Sequence, residues 1–244
     1  MICIDNPHTD AYFNLAAEEY LLKYFSSDVF MLWQNESSVI IGKHQDIRAE
    51  VNLDFAQSNH IKVARRYSGG GAVYHDSGNL NLTFIESSEK PDFGKYTKQI
   101  LEILASIGIQ AEADERQSIY IDGCKISGCA QFIRKNKALF HASLLFSSDL
   151  TNLTSTLNSL NKVPENGVQP ITKRYVKSVK SPVTNISEHL EDPLQLSDFK
   201  QIIWSSLLGT QVGNSIYTFS KEDVAAINKL KIEKYSTSNW NYNA

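Results

Sequence analysis

Apolar and polar positions along the chain follow two different periods, and the period assigns the elements. Helical spacing predicts helices over Ala11–Phe25, Gly94–Ile107, Ser197–Leu208 and Ser220–Leu230. In the first, Phe13, Ala17, Tyr20, Leu21 and Tyr24 share one face, and core packing is the plainest role for those aromatics. The last opens with Ser220 three residues ahead of Asp223, a capping-box-like start. Strands are predicted over Val29–Trp33, Ser38–Gly42, Lys62–Tyr67, Ala72–Tyr74, Asn81–Glu86, Ser118–Asp122, Lys125–Phe132 and Ala138–Leu145. Asp122-Gly123 between two of them is a hairpin turn signal. Asn161–Tyr175 is rich in Asn, Pro, Gly and Thr without periodicity, and reads as a mobile surface loop. No internal repeat is visible.

Composition narrows the class. The 244 residues suffice for one large domain with a substantial core. A 42% hydrophobic and 21% charged composition is that of an ordinary soluble globular protein. A net charge of −3 argues against nucleic-acid binding as the main role. No stretch approaches the ~20 apolar residues of a membrane helix. The start, Met1-Ile2-Cys3-Ile4-Asp5-Asn6-Pro7, lacks the pattern of a secretory signal. Three cysteines without metal spacing fit a reducing compartment, so a cytoplasmic location is expected.

The chemistry concentrates in Arg65–Asn81, R-R-Y-S-G-G-G-A-V-Y-H-D-S-G-N-L-N. Three consecutive glycines follow two arginines. Gly reaches positive φ and puts no side chain between backbone and ligand, and successive N–H groups in such a loop can cradle an anion. Arginine adds a forked cation suited to phosphate or carboxylate. A tight turn between strands remains the plain alternative. The phosphate loop of nucleoside triphosphatases needs G-x-x-x-x-G-K-S/T, and here Ala72-Val73-Tyr74 follows Gly71. A dinucleotide fingerprint fails because Tyr74 occupies its last glycine position. The polar–apolar alternation after the loop predicts a strand, so the loop is expected to join strand to strand. Downstream, Lys125 heads the strand after Asp122-Gly123, and Ser127-Gly128-Cys129-Ala130 is a run of small residues that admits a ligand close to the backbone. A solvated surface charge is the plain reading of a lysine after a turn.

Together these stretches resemble the lipoate–protein ligase A family, part of the biotin and lipoate ligase group. Arg65 to Asn79 matches the family's glycine loop, and Lys125-Ile126-Ser127-Gly128-Cys129-Ala130 matches the motif that carries its catalytic lysine. Asp10–Leu22, Trp33-Gln34-Asn35, Val39–Gln45 and Lys177–Ile186 are similar to further family segments, so the resemblance covers nearly the whole chain. It implies an α+β fold: a mixed β-sheet flanked by helices, a class II aminoacyl-tRNA synthetase/biotin ligase-like catalytic domain spanning 1–244. It implies that lipoate attacks the α-phosphate of ATP to give lipoyl-AMP, and that the acyl group then passes to a lysine of a lipoyl carrier domain. The carriers so implied are the 2-oxoacid dehydrogenase E2 subunits and the glycine cleavage H protein. By that analogy Lys125 is the catalytic residue, stabilising charge in both transition states. Arg66, Ser68, Gly70, Gly71, Ala72, Val73, Tyr74, His75, Asn79, Lys125 and His141 are expected to bind ATP and lipoyl-AMP, with His75 and Asn79 completing the nucleotide pocket. The loop over Asn161–Tyr175 is expected to close over the adenylate. No residue is expected to be a metal ligand; Mg²⁺, where it takes part, is expected on ATP phosphates and water.

The chain also departs from that pattern. Arg116-Gln117-Ser118 replaces the family's Asn-Asp, so a carboxylate near the nucleotide is expected to be missing. Gly123-Cys124-Lys125 loses one cation of the family's G-K-K, and Phe140-His141 one of two histidines. The chain ends at Trp240-Asn241-Tyr242-Asn243-Ala244, where single-chain ligases continue into an accessory domain, so that domain is expected to be absent and a separate accessory chain is one expected partner. A basic patch of Lys173, Arg174, Lys177 and Lys180 is a candidate carrier contact, or a solvated loop face. The alternative activity is a lipoyl or octanoyl transferase using an activated or carrier-bound donor. Thioester chemistry of that kind needs a cysteine, and beyond Lys125 there is only Cys129, where ligases carry a small residue. Biotin ligase has a different glycine-loop pattern, and a decayed binding module would have lost Lys125 and the glycines first.

Overall fold

The computed structural model describes residues 1–157, 175–209 and 213–243. In chain order its elements are β1 (Ile2–Asp5), α1 (Ala11–Tyr24), β2 (Val29–Trp33), β3 (Ser38–Ile41), α2 (Ile47–Glu50), α3 (Leu53–Ser58), β4 (Lys62–Arg65), β5 (Val73–His75), β6 (Asn79–Ser87), α4 (Gly94–Ser106), β7 (Glu112–Ala113), β8 (Ile119–Ile121), β9 (Cys124–Arg134), β10 (Lys137–Leu145), α5 (Leu150–Leu157), α6 (Leu196–Gly209), β11 (Ser215–Ile216), α7 (Lys221–Leu230) and α8 (Ser238–Asn243).

The strands form two sheets. The larger runs β11-β1-β2-β6-β10-β9-β8-β7, and the smaller runs β4-β3-β5. Both mix directions: β1 is parallel to β11 and β2, and β3 is parallel to β4 but antiparallel to β5. Side chains alternate across the large sheet. On one face Leu80, Leu82 and Phe84 of β6 meet Ile100 and Leu104 of α4 and Phe199 and Ile203 of α6. On the other, Met31, Trp33 and Ile85 meet Leu15 and Leu21 of α1, with Ile227 of α7 behind them. A third cluster joins Val39, Ile41, Val63 and Tyr74 of the small sheet to Leu153 of α5.

The predicted mixed sheet flanked by helices is what the structure contains, with element ends shifted by a residue or two. The tight turn is a type I′ hairpin: Asp122 and Gly123 have φ of 48° and 76°, both positive as that turn requires. Helix α7 carries the full capping box, Asp223 N–H to Ser220 Oγ at 3.1 Å and Ser220 N–H to Asp223 Oδ2 at 2.9 Å. Strands β1, β7 and β11 were not predicted; each spans four residues or fewer, too short for a period to show.

Helix α1 corrects its predicted face. Tyr24 is 70% exposed, while Asn14, Glu18 and Glu19 are buried with the apolar residues. The helix lies between the large sheet and α7 and touches β4. It is therefore buried on nearly every side, and its polar residues must find partners inside the protein. The loop predicted over Asn161–Tyr175 lies outside the described residues except for Tyr175, as do Lys173 and Arg174. No helix among the described residues is long and apolar enough to cross a membrane.

Candidate active site

The glycine turn joins β4 to β5, strand to strand, across the open end of the small sheet. Its two arginines part company. Arg65 is 1% exposed and points away from the turn. Its guanidinium donates to the carbonyls of Gly42, Lys43, Gln45, Trp240 and Asn241 at 2.8–3.2 Å, fastening the C-terminal segment to the loop after β3. Arg66, equally buried, sits inside the turn. It donates from Nη2 to the carbonyls of Gly69 and Gly71 at 2.6 and 2.7 Å, from Nη1 to Ile40 O at 3.0 Å, and from Nε to Ser68 Oγ at 3.1 Å.

Those contacts orient the amides. A trans peptide sets its N–H opposite its C=O. With the Gly69 and Gly71 carbonyls drawn onto Arg66, the N–H groups of Gly70 and Ala72 point away from it, toward the cleft. Gly70 has φ of +90°, a conformation that only glycine adopts without strain. The Ala72 N–H already meets an oxygen, Ser178 Oγ, at 2.8 Å, and that hydroxyl also accepts from Gln45 Nε2 at 3.0 Å. Val73, Tyr74 and His75 are strand residues paired with β3, so the amides that can form a cradle lie at its Gly70–Ala72 end. Burial brings the Arg66 guanidinium down to about 10, which leaves it charged at neutral pH. Its charge reaches the cleft as a field, because most of its donors are already spent on the turn.

Gly42 sets where the turn stands. A Cβ there would lie 2.1 Å from Gly70 O, so the end of β3 and the crest of the turn touch backbone to backbone. The Gly42–Gln45 stretch was visible in the sequence as a family segment, but nothing in one sequence says which glycine is crowded.

Lys125 enters from the large sheet. Its backbone is held by Pro182 O and Thr184 N, and its side chain crosses Gly128, where a Cβ would stand 3.7 Å from Nζ and equally far from Val73 Cγ1. The amine and the exit of the glycine turn therefore share one cleft. Burial lowers the Lys125 pKa from the ordinary lysine value, and the Asp114 carboxylate opposes that fall. A carboxylate does reach this cleft, that of Asp114, and it lines the first cavity and not the second. Its Oδ1 accepts from the amides of Arg116 and Ser118 at 2.9 and 2.8 Å, and its Oδ2 accepts from the Tyr120 hydroxyl at 3.2 Å. It lines the cleft from a position two residues before Arg116.

Two cavities meet at Lys125. One, of about 500 Å³, runs under the glycine turn to Leu15, Trp33 and Ile40. The other, of about 420 Å³, opens toward Glu50, Tyr74 and Leu153. Both are within the usual range of small-molecule sites. Ala72, Val73, Lys125, Gly128, Lys177 and Ser178 line both. The remaining expected residues divide between contact and support. Gly70, Gly71 and His141 line the first cavity and Tyr74 the second. His75 lines the first, apolar cavity, not the second. Asn79 lines neither: its Oδ1 accepts from Asp76 N at 2.8 Å and its Nδ2 donates to Ser143 Oγ at 3.3 Å, so it holds a turn. Ser68 stands behind the loop, linking Arg66 to His141 Nε2 at 3.0 Å.

Glu18 completes that link and was missed. It accepts from His141 Nδ1 at 2.9 Å and from Thr83 Oγ1 at 2.6 Å, and Thr83 in turn accepts from Trp33 Nε1 at 2.9 Å. The available signal was Asn14 and Glu18, polar residues one helical turn apart in an otherwise apolar segment. Cys129 sits in the first cavity with its thiol donating to Arg116 O at 3.2 Å. Burial pushes it up to about 11, the opposite of what a thioester nucleophile needs.

The model of the lipoyl protein ligase A/B catalytic domain matches residues 10–208. The chain belongs to that family. Lipoate–protein ligase 1 of Staphylococcus aureus is 40% identical to it over 98% of this chain and 72% of the relative. Protein Ta0514 of Thermoplasma acidophilum, solved with bound lipoic acid, superposes with a TM-score of 0.79 at 25% identity, covering 100% of this chain and 98% of that one. A bipartite lipoate protein ligase of the same organism, described with its E2 lipoyl domain, has a TM-score of 0.77 at 26% identity, over 99% and 95%. A lipoate–protein ligase A bound with ATP reaches 0.78 at 25% identity, over 98% and 97%.

Proposed function

We propose that this chain is an ATP-dependent lipoate–protein ligase. A lipoate carboxylate oxygen attacks the α-phosphorus of ATP, the bond to the bridging oxygen breaks, and pyrophosphate leaves. The neutral amine of a carrier lysine then attacks the acyl carbonyl. The acyl–phosphate bond breaks with its electron pair going to AMP, and the new amide nitrogen releases a proton. Both steps gather negative charge at one place, the acyl–phosphate junction.

The observation that carries this reading is the meeting of two cavities at Lys125. The first reaches Leu15, Trp33 and Ile40, which suits the apolar acyl chain. The second, which adds Lys180 to the Lys125 and Lys177 that border both, suits the nucleotide. The mixed anhydride then lies between the Gly70 and Ala72 amides and the Lys125 ammonium, where preorganised donors act in a dry site. The hydrogen bond from Ala72 N to Ser178 Oγ, an oxygen at the cradle, supports that placement. Arg66, Ser68, His141 and Glu18 hold the turn in shape from behind.

The partner is a lipoyl carrier domain, of E2 subunits or of the H protein, with Lys177 and Lys180 at the mouth as candidate contacts. Mg²⁺ would arrive on the ATP phosphates. Among the described residues no group of three or more His, Cys, Asp or Glu could hold a metal, and Glu50 and Asp114 offer single carboxylates beside the cavities. That set fits a metal kept mainly on phosphate and water.

Lipoate-dependent exchange of labelled pyrophosphate into ATP tests the reading. The protein should catalyse it, and Lys125→Ala should lose it by roughly 10²-fold or more with an unchanged unfolding midpoint. A variant that keeps the exchange removes Lys125 from its role. A wild-type protein that fails to exchange but transfers lipoyl from synthetic lipoyl-AMP is a transferase.

A further inference from the structure

We propose that the end of the first cavity beside Trp33 is a hydrogen-bonding subsite, made by His75 and Asn81, that selects acids with a sulfur heteroatom near the far end of the chain over plain fatty acids of the same length. This rests on reading that cavity as the acyl pocket.

The first ground is three orphaned atoms. His75 Nε2 and both Asn81 side-chain atoms, Nδ2 and Oδ1, are buried without a hydrogen-bond partner. His75 is 4% exposed and Asn81 1%, and both line the cavity beside Trp33. Buried polar atoms are costly to leave unmet, so their presence at a cavity wall points to an occupant that meets them.

The second ground is the proton on His75. Asn14 Nδ2 donates to the carbonyls of His8 and Gln34 at 2.9 and 2.8 Å, which fixes the orientation of its amide. Asn14 Nδ2 shares those two protons with a third oxygen, Asn35 Oδ1 at 2.8 Å, which leaves Asn35 Nδ2 toward His75 Nδ1 at 3.0 Å. An amide nitrogen only donates. Nδ1 of His75 therefore accepts, and the ring proton sits on Nε2, the atom left without a partner. Burial, then Arg66 and His141, depress His75 to about 3, so the ring is a neutral donor at working pH. Asn35 is its positioning residue.

The third ground is reach. Gly128, Ser143 and Asn81 stand opposite one another on β9, β10 and β6, hence on one face of the sheet. Two strand spacings put Asn81 about 10 Å from Gly128, over which Lys125 lies. That matches a medium-chain acid whose carboxylate is at Lys125. A methyl terminus at Asn81 would leave donor and acceptor dry. A dithiolane ring offers polarisable sulfur lone pairs to the His75 N–H and the Asn81 amide.

The test compares lipoate with octanoate. In pyrophosphate exchange, Asn81→Leu should lower the lipoate-to-octanoate ratio of kcat/KM by about tenfold, and calorimetric affinities for the two acids should converge likewise. An unchanged ratio overturns the proposal. If wild-type protein activates neither acid the ligase reading fails, and the calorimetric ratio still judges this one. Nitrogen-15 shifts of the imidazole in wild-type protein supply a second measurement that needs no variant at Asn81. Protonation at Nε2 is expected, and protonation at Nδ1 overturns the proposal. Asn35→Asp keeps an oxygen toward Asn14 but places an acceptor at Nδ1. It should move the proton there and lower the selectivity as well.

Discussion

Replacing Gly42 with alanine tests how tightly the fold holds the reacting groups. The new methyl would lie 2.1 Å from Gly70 O, 3.1 Å from Gly70 C and 3.2 Å from Gly69 C. Real Cβ atoms stay 3.0 Å or more from such neighbours, so the crest of the turn must retreat by about 1 Å. All three obstacles are backbone, and Arg66 anchors the Gly69 carbonyl from the other side, so no flexible side chain can absorb the shift. A displacement of ~1 Å at reacting groups costs on the order of 10²-fold in rate, or about 2.7 kcal/mol of barrier. Gly42→Ala should therefore lose about 100-fold in lipoate-dependent pyrophosphate exchange while unfolding cooperatively. Two glycines calibrate it. Gly78→Ala puts a methyl 2.2 Å from Ser147 O and 2.4 Å from Ser147 C, away from the cleft, and should cost stability first. Gly69→Ala meets nothing within 4 Å and should leave stability unchanged. If Gly42→Ala exchanges pyrophosphate at the wild-type rate, the turn is not held by that contact and the positional argument for the cradle is wrong.

Asp114→Asn should move the alkaline limb of kcat/KM to lower pH. On the proposed reading the ammonium is the working form of Lys125; burial already lowers its pKa, Asp114 raises it, and loss of that charge lets it fall further, so the ammonium is lost at a lower pH. A limb that stays put or moves up in a pH–rate profile would refute this coupling. Arg65→Lys should destabilise by about 3 kcal/mol in denaturant unfolding, because lysine cannot replace a fork that reaches five carbonyls. A loss below about 1 kcal/mol would mean that those carbonyls find water instead.

What a single sequence discloses here follows from the range of the interaction involved. Elements and turns are local, so the hairpin at Asp122-Gly123 and the capping box at Ser220 were readable with their residues. The glycine turn was readable as a strand-to-strand loop for the same reason. Roles that depend on what lies across the fold were not. Arg65 and Arg66 are neighbours in the chain with opposite tasks, decided by partners of Arg65 that lie as far as 175 positions along the chain from it, at Trp240. Asn79 and His75 sit in one motif, yet one closes a turn and the other lines the first cavity. Glu18 and Asp114 carry carboxylates that no spacing rule singles out. Glu18 matters because α1 is buried between layers, and Asp114 because the Arg116 and Ser118 amides hold it at the cleft.

A division of labour among cations follows from these contacts. Arg66 is charged at neutral pH and lies beside the reacting centre, but carbonyls of Gly69, Gly71 and Ile40 occupy its donors. Lys125 keeps a short, rotatable ammonium at the junction of the cavities. A planar fork is the better choice for fixing a loop of carbonyls, and a compact point charge is the better choice for following charge from one phosphate oxygen to an acyl oxygen. Swapping the roles should fail on both counts: lysine at Arg66 would leave the Gly70 and Ala72 amides unoriented, and arginine at Lys125 would press a larger head group against Val73 and Gly128. On the proposed reading, the field of Arg66 acts on the anhydride without competing with Lys125 for it.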